Sequence, residues 1–225
     1  MRIIALSTLR LFWKKHPDAE MPLRNWYAEA SRANWRTPAD IKAAYRNASF
    51  TANNRVVFNV KGNDYRLVVA VHYDRGQMYV RFVGAHRQYD TINAETKEAC
   101  MDLKPIRTKK DYQAALAEAE RLWDAPAKSP EADRLDVLAM LIEDYERQHY
   151  SIPDPDPIEF LLHVMESRGL TRKDLTPCIG PRGRVSDILN RTRPLTLEMI
   201  RRLVDKLNLP AEVLIQPYEL QGKAA

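Results

Sequence analysis

Three cations, Lys61, Arg66 and Arg81, sit in or beside the apolar runs RVVFNV, YRLVVAVHY and MYVRFVG. Gly62-Asn63 and Arg75-Gly76 separate those runs at positions suited to two-residue hairpin loops. With both loops two residues long, Asn59 faces Arg66, Phe58 faces Leu67, Val71 faces Val80 and Ala70 faces Arg81. Side chains alternate along a strand, so the two faces separate. One face carries Val56, Phe58, Val60, Tyr65, Leu67, Val69, Val71, Tyr73, Met78, Val80 and Phe82, and reads as core beneath helices. The other gathers Asn59, Lys61, Arg66, His72, Tyr79 and Arg81, with Val57, Val68, Ala70 and Val83. The stretch GAHRQYD adds His86, Arg87 and Tyr89 near that face. Fixed positive charge on a sheet face left bare of helices suits a polyanion.

The elements that must position this face precede it. MRIIAL reads as a short strand. Ser7 can cap TLRLFWKKH, in which Leu9, Phe12 and Trp13 fall at helical spacing. PLRNWYAEASRA continues the helical period. TPADIKAAY starts a further helix with Thr37 as N-cap, Pro38 in the first turn and Asp40 three residues on. Trp13, Trp26 and Trp35 read as core.

The polar stretch TINAETKEAC after Asp90 reads as a linker. At Met101 the text resembles a protein's own start. DYQAALAEAERLW is a strong helix former with Tyr112, Ala115, Leu116, Ala119 and Leu122 on one face. PAKSPEAD reads as a loop, RLDVLAMLIEDYERQHY as a second amphipathic helix and SIPDPDP as a break. The remainder is helical, with Gly169 and Gly180 as stops and Thr171 and Thr196 as caps.

Charge follows the same division. Residues 1–100 hold 16 Lys and Arg against 9 Asp and Glu, residues 101–157 hold 8 against 13, and residues 158–225 hold 11 against 8. Basic, acidic and basic blocks suggest two parts made for polyanions and a middle made for one of them. Cys100 and Cys178 lie far apart and in no Cys-x-x-Cys motif, which suits a reducing cytoplasm. No apolar run approaches the ~20 residues of a membrane helix, and the first residues lack a signal-peptide cleavage site. Asp74, Asp90, His72 and His86 match no ligand spacing, and a basic face repels cations, so no metal is expected.

The stretch LTRKDLTPCIGPRGRVSDILNRTRPLTLEMIRRLVDKLNLPAEVLI carries a helix-turn-helix pattern. Its core would be Leu175, Val185, Ile188, Leu189, Leu195, Ile200, Leu203 and Leu207. It resembles the Cro/repressor-like class and, through RVSDILNRTRPLTLEMIRRL and LPAEVLI, the HigA-type antitoxins; the resemblance covers Met101 to Gln216. It implies that the second helix of the motif enters the major groove by its N-terminal end. Arg182, Arg184, Ser186 and Asp187 are then candidates for base or phosphate contact, and Arg191 and Arg193 for phosphate. Pro177 departs from the pattern, because within the first helix of the motif it removes a backbone donor.

LRLFWKKHPDAEMPLRNWY, NNRVVFNVKGNDYRLVVAVHY and RFVGAHRQYD resemble the HigB toxins, a branch of the RelE-like messenger-RNA endonucleases. This resemblance spans nearly all of residues 1–92. It implies a metal- and cofactor-free enzyme that cuts messenger RNA on the ribosome. RNA can be cut by its own 2′-hydroxyl attacking the adjacent phosphorus, so the protein need only position the phosphate, stabilise its charge and move protons. The matched pattern assigns Lys61, Arg66 and Arg81 to the phosphate, and His86 and Tyr89 to proton transfer and base stacking. Asn59, His72 and Arg87 join them as RNA contacts.

The expected fold class is α+β. A RelE-like β-α-α-β-β-β domain with an antiparallel sheet (residues 1–92) precedes a linker (93–100), a helical toxin-binding arm (101–157) and a helix-turn-helix domain (158–220). The expected function is a toxin–antitoxin pair in one cytoplasmic chain. Its partners are messenger RNA with the ribosome and operator DNA, and it self-associates, with toxin and antitoxin meeting within a chain or swapped between chains. Tethering sets the inhibitor at an effective concentration of roughly mM. The alternatives are a non-catalytic DNA-binding regulator whose N-terminal domain binds RNA or ribosome, and an interaction protein with no nucleic-acid role.

Overall fold

The structure, a computed structural model, describes residues 1–51, 54–62, 64–85 and 105–221. Its elements run β1 (Arg2–Ile4), α1 (Leu6–Lys15), a 3-10 turn (Pro17–Ala19), α2 (Glu20–Arg32), α3 (Pro38–Ala44), β2 (Ser49–Thr51), β3 (Arg55–Val60), β4 (Tyr65–His72) and β5 (Gln77–Ala85). The helical remainder is α4 (Lys109–Leu122), α5 (Pro130–His149), α6 (Pro157–Arg168), α7 (Thr176–Ile179), α8 (Arg182–Leu189), α9 (Leu197–Leu207) and α10 (Ala211–Leu214). The chain forms two compact units, one of Arg2–Pro17 with Thr51–Ser151, the other of Met1, Asp18–Phe50 and Ile152–Ala225. Among the described residues no helix is long and apolar enough to cross a membrane.

The sheet has the order β1-β5-β4-β3-β2. It differs from the expected β-α-α-β-β-β antiparallel arrangement in three ways. The helical stretch before α3 is divided into α1 and α2 by the 3-10 turn, a short extra strand, β2, precedes β3, and β1 lies parallel to β5, with Arg2 opposite Gln77 and Ile4 opposite Tyr79. The exposed Ser-Phe-Thr of β2 gives no apolar alternation by which a strand could be read.

The β3–β4 register is the expected one, with Asn59 opposite Arg66 and Phe58 opposite Leu67. The β4–β5 register is not. His72 pairs with Gln77, Val71 with Met78 and Ala70 with Tyr79, so the loop takes residues 73–76 instead of two residues. A shift of two leaves each side chain on its own face. The register then slips again: Val69 pairs with Val80 but Val68 with Phe82, leaving Arg81 as the extra residue of a β-bulge. Beyond the bulge the faces exchange. Val83 opposes Leu67 and is buried, whereas Phe82 opposes Val68 on the basic side and is only half-buried.

Local sequence explains where the helices start and stop. Thr37 accepts from Asp40 N while the Asp40 carboxylate accepts from Thr37 N at 2.8 Å, a reciprocal cap with Pro38 in the first turn. Thr108 and Asp111 repeat this at α4. α1 starts earlier than expected: Leu6 follows Ala5, which lies in the left-handed region at φ 70°, and Ser7 is inside the helix rather than capping it. PAKSPEAD is only partly loop, because Ser129 accepts from Ala132 N and Pro130 opens α5. Within the first unit α1 packs on β5, and α4 and α5 pack on each other and, through α5, on β1. Tyr112, Ala115, Leu116, Ala119 and Leu122 of α4 are all buried, as their spacing predicts. Each fully buried leucine contributes roughly 1.5–3 kcal/mol.

In the second unit one core joins Ala28 of α2 to Ile158, Phe160, Val164, Leu175, Ile179, Val185, Ile188, Leu189, Ile200, Leu203 and Val213. Leu195 and Leu207 pack half-buried at its edge. Gly169 ends α6 at φ 66°, and Thr196 caps α9. Thr171 bonds Asp174 in a turn ahead of α7 rather than capping a helix. Pro177 accounts for this. It cannot donate to Lys173 O, and that oxygen accepts instead from Thr176 N and Thr176 Oγ1, so α-helical bonding begins only at Thr176.

Candidate nucleic-acid interface

Arg81 stands at the bulge. An extra residue in one strand increases the local twist and re-aims its side chain. Here the guanidinium lies over the Tyr79 ring, 4.7 Å from its centroid, and its Nη1 donates to Glu120 Oε1 near the end of α4. Its buried Nε has no hydrogen-bond partner among the described residues. His72, one strand over, bonds through Nε2 to the carbonyl of Trp123, one of the carbonyls that α4 leaves without an intrahelical partner. The buried Trp123 ring packs against His72 at 4.6 Å and Tyr79 at 5.5 Å between centroids. Burial, and after it the Glu120 carboxylate, push the Tyr79 hydroxyl well above the ordinary tyrosine range.

The basic face is therefore not bare at this end, as the sequence suggested. His72, Tyr79 and Arg81 are brought together, and the C-terminal turn of α4 covers them. Glu120 and Trp123 were not singled out from the sequence. The acidic balance of residues 101–157 was the only signal pointing toward them, and it does not single out one carboxylate.

The other expected contacts lie toward the opposite end of the strands. Asn59 and Arg66 oppose each other across β3 and β4, both half-buried, and Arg66 also opposes Gly84. Lys61 falls just beyond β3, in the turn. Its backbone is left-handed, φ 53°, like that of Gly62 at φ 67°, and its Nζ lies 3.2 Å from Asp64. His86, Arg87 and Tyr89 lie outside the described residues.

The same unit holds a buried polar junction that the sequence did not reveal. Ala5 gives α1 no side-chain cap. Glu146 of α5 takes that place, accepting from Leu6 N at 2.8 Å and from the Tyr112 hydroxyl, which lies 2.9 Å from Ser7 Oγ. Burial raises the Glu146 carboxyl to about 7.

In the other unit, Arg182 and Arg184 lie exposed on the first turn of α8. Ser186 accepts from Arg172 at 3.1 Å, and Arg193 lies 3.6 Å from Asp187. Arg191 is differently placed. It forks onto both oxygens of Asp156, at 2.8 and 2.9 Å, and reaches Glu159 at 3.1 Å. Asp156 also caps α6 through Ile158 N and Glu159 N.

Comparison with known proteins gives this geometry a context. Residues 19–92 match the family model of the HigB toxin, the RelE-like toxic component of a toxin–antitoxin system. The chain is 23% identical over 100 residues to the mRNA interferase HigB of Escherichia coli O6:H1, covering 44% of this chain and 97% of that protein. It is 26% identical over 96 residues to the mRNA interferase toxin HigB of Escherichia coli K12, covering 42% and 92%. A HigB of Shigella flexneri matches to the same extent. These matches support a HigB-type toxin domain in the N-terminal part of a mixed α+β chain. The family match ends at residue 92, short of α4 and everything after it.

Proposed function

We propose that the chain is a toxin–antitoxin pair in one polypeptide: an N-terminal endoribonuclease closed by its own α4–α5 arm, followed by a DNA-binding part that represses its own operon. Residues 1–92 are the toxin, 93–100 the linker, 101–157 the arm and 158–220 the helix-turn-helix domain. The toxin cuts messenger RNA at the ribosome. Lys61, Arg66 and Arg81 are phosphate clamps spread along the RNA backbone, and Asn59, His72 and Arg87 contact the strand. His86 and Tyr89 move protons as the 2′-hydroxyl attacks phosphorus and the 5′-oxygen leaves. Charge stabilisation by fixed guanidinium groups is the main catalytic resource of such a site.

The observation that carries this reading is the seat of α4 on the basic face. The Glu120 carboxylate occupies Arg81, and the Trp123 carbonyl occupies His72. Anionic and carbonyl oxygens of the arm take the places that phosphate oxygens would need. Several of the relatives are named mRNA interferases, which supports the same chemistry.

The test uses the full chain. Glu120→Arg with Trp123→Ala opens the site; messenger RNA is then degraded and growth stops, and adding Arg81→Ala restores both. A parent chain that cuts as fast as the opened variant would overturn closure. No cleavage after opening, or by residues 1–98 released by cutting the linker, would favour the non-catalytic regulator instead.

A further inference from the structure

We propose that the C-terminal end of α1, with the adjoining end of β4, forms a base-stacking platform for single-stranded RNA, away from the place where Glu120 and Trp123 of the arm cover Arg81 and His72. Phe12 and His16, one helical turn apart, stack at 4.5 Å with an interplanar angle of 24°. Tyr65, at the start of β4, meets Phe12 edge-on at 5.1 Å and His16 at 5.5 Å. His16 is exposed, while Phe12 and Tyr65 are half-buried, so the histidine forms the outer surface of the stack.

The surroundings select the ligand. Lys14 and Lys15 lie exposed on α1 beside His16, and α1 has no acidic residue; Arg10, earlier on the helix, is engaged with the Ser151 carbonyl. Tyr65 pairs with Val60, so the turn carrying Lys61 and its ion-pair partner Asp64 adjoins the platform. Aromatic rings set among exposed cations are the usual recognition surface for unpaired bases, which offer both a ring face and a phosphate. A duplex keeps its bases stacked and fits poorly. An acidic peptide would use the lysines but not the rings.

The position along the sheet matters as much as the composition. On the sheet the arm reaches His72, Tyr79 and Arg81 through Glu120 and Trp123, toward the His72–Gln77 end of the β4–β5 pair, and on α1 it meets Leu6, Ser7 and Arg10, ahead of Phe12 and His16. Tyr65 lies at the other end of that pair, opposite Ala85. The inhibited chain can thus hold an RNA strand without cutting it, so that opening the arm finds substrate already bound. The choice of RNA rests on the endonuclease reading; the platform itself rests on the rings and lysines.

The experiment measures fluorescence anisotropy of a labelled 12-nucleotide uridine RNA with the full chain, using a duplex DNA of the same length as competitor. The intact chain should bind the RNA with an affinity that falls steeply with salt. His16→Ala should weaken binding about tenfold, and His16→Phe, which keeps the ring, should restore it. Lys14→Gln with Lys15→Gln should flatten the salt dependence. Thermal unfolding of each variant shows that the fold is kept. Equal affinity for His16→Ala and parent, or no binding by the parent, would overturn the platform. Cleavage by the opened Glu120→Arg, Trp123→Ala chain is a separate readout: if it persists without RNA binding at His16, only the platform fails.

Discussion

The Arg81 guanidinium and the Glu120 carboxylate form an ion pair in which both side chains are largely withdrawn from water, 15% and 27% exposed. The pair ties the β-bulge to α4 across 39 residues of sequence. A partly buried pair gives little net stability when intact but is costly to break on one side, because the other charge is left desolvated. Glu120→Leu should therefore destabilise the chain by about 1–3 kcal/mol. Arg81→Met combined with Glu120→Leu should cost less than the sum of the single changes. Urea unfolding of the four-member cycle checks this, and additive losses would mean that the two groups are not coupled.

Glu146 predicts how stability depends on pH. Its carboxyl is raised from 4.5 to about 7, first by burial, against the opposing hydrogen bonds of Tyr112 and Leu6 N. Between those values the folded chain keeps the proton and the unfolded chain does not. Stability should therefore fall as pH rises from about 4.5 to about 7 and level off above, a loss of about 3 kcal/mol from this group. Glu146→Gln keeps the acceptor for Leu6 N and removes the titration. Its urea midpoint should vary less with pH across that window. A parent whose stability climbs through the window by as much as the variant's would contradict the assignment.

What the sequence revealed, and what it hid, follows from the range of each interaction. The core faces of β3, β4, α4 and the C-terminal helices were legible because apolar periodicity is local, and Thr37, Thr196 and Gly169 announced helix ends within four residues. The β4–β5 register was not legible. Arg75-Gly76 looks like a two-residue hairpin, yet the loop uses residues 73–76, and the bulge at Arg81 has no local signature. The closure of the basic face was hidden for a similar reason. Glu120 is one of 13 acidic residues between 101 and 157, and only the packing of α4 selects it. The start of α1 was misread because its cap, Glu146, lies 140 residues away.

If Lys61 clamps phosphate as proposed, function and stability are opposed at this residue. At φ 53° it occupies a conformation that costs a non-glycine side chain about 1 kcal/mol or more. Strain held at such a position is understandable if the ammonium group is needed there. Lys61→Gly should raise stability by up to about 1 kcal/mol while lowering RNA binding and cleavage. Urea unfolding and RNA anisotropy on the same preparation read the two effects. A glycine variant that gains stability and loses no RNA affinity would remove Lys61 from the site.

The arginines of the C-terminal part divide into two groups that one pair of measurements can separate. Arg182 and Arg184 are exposed at the start of α8, where substitution should change stability by less than about 0.5 kcal/mol. If they contact phosphate, each alanine variant should weaken duplex binding and reduce the salt slope by about one. Arg191, 20% exposed, is engaged with Asp156 and Glu159 and joins the turn after α8 to the cap of α6. Arg191→Ala should cost about 1–3 kcal/mol of stability and leave the salt slope unchanged for the fraction that remains folded. The probe is a labelled duplex from the region upstream of the coding sequence, titrated at several salt concentrations beside thermal unfolding. Salt slopes that stay the same in Arg182→Ala and Arg184→Ala would detach α8 from DNA, and a slope that falls in a fully stable Arg191→Ala would move Arg191 into the interface.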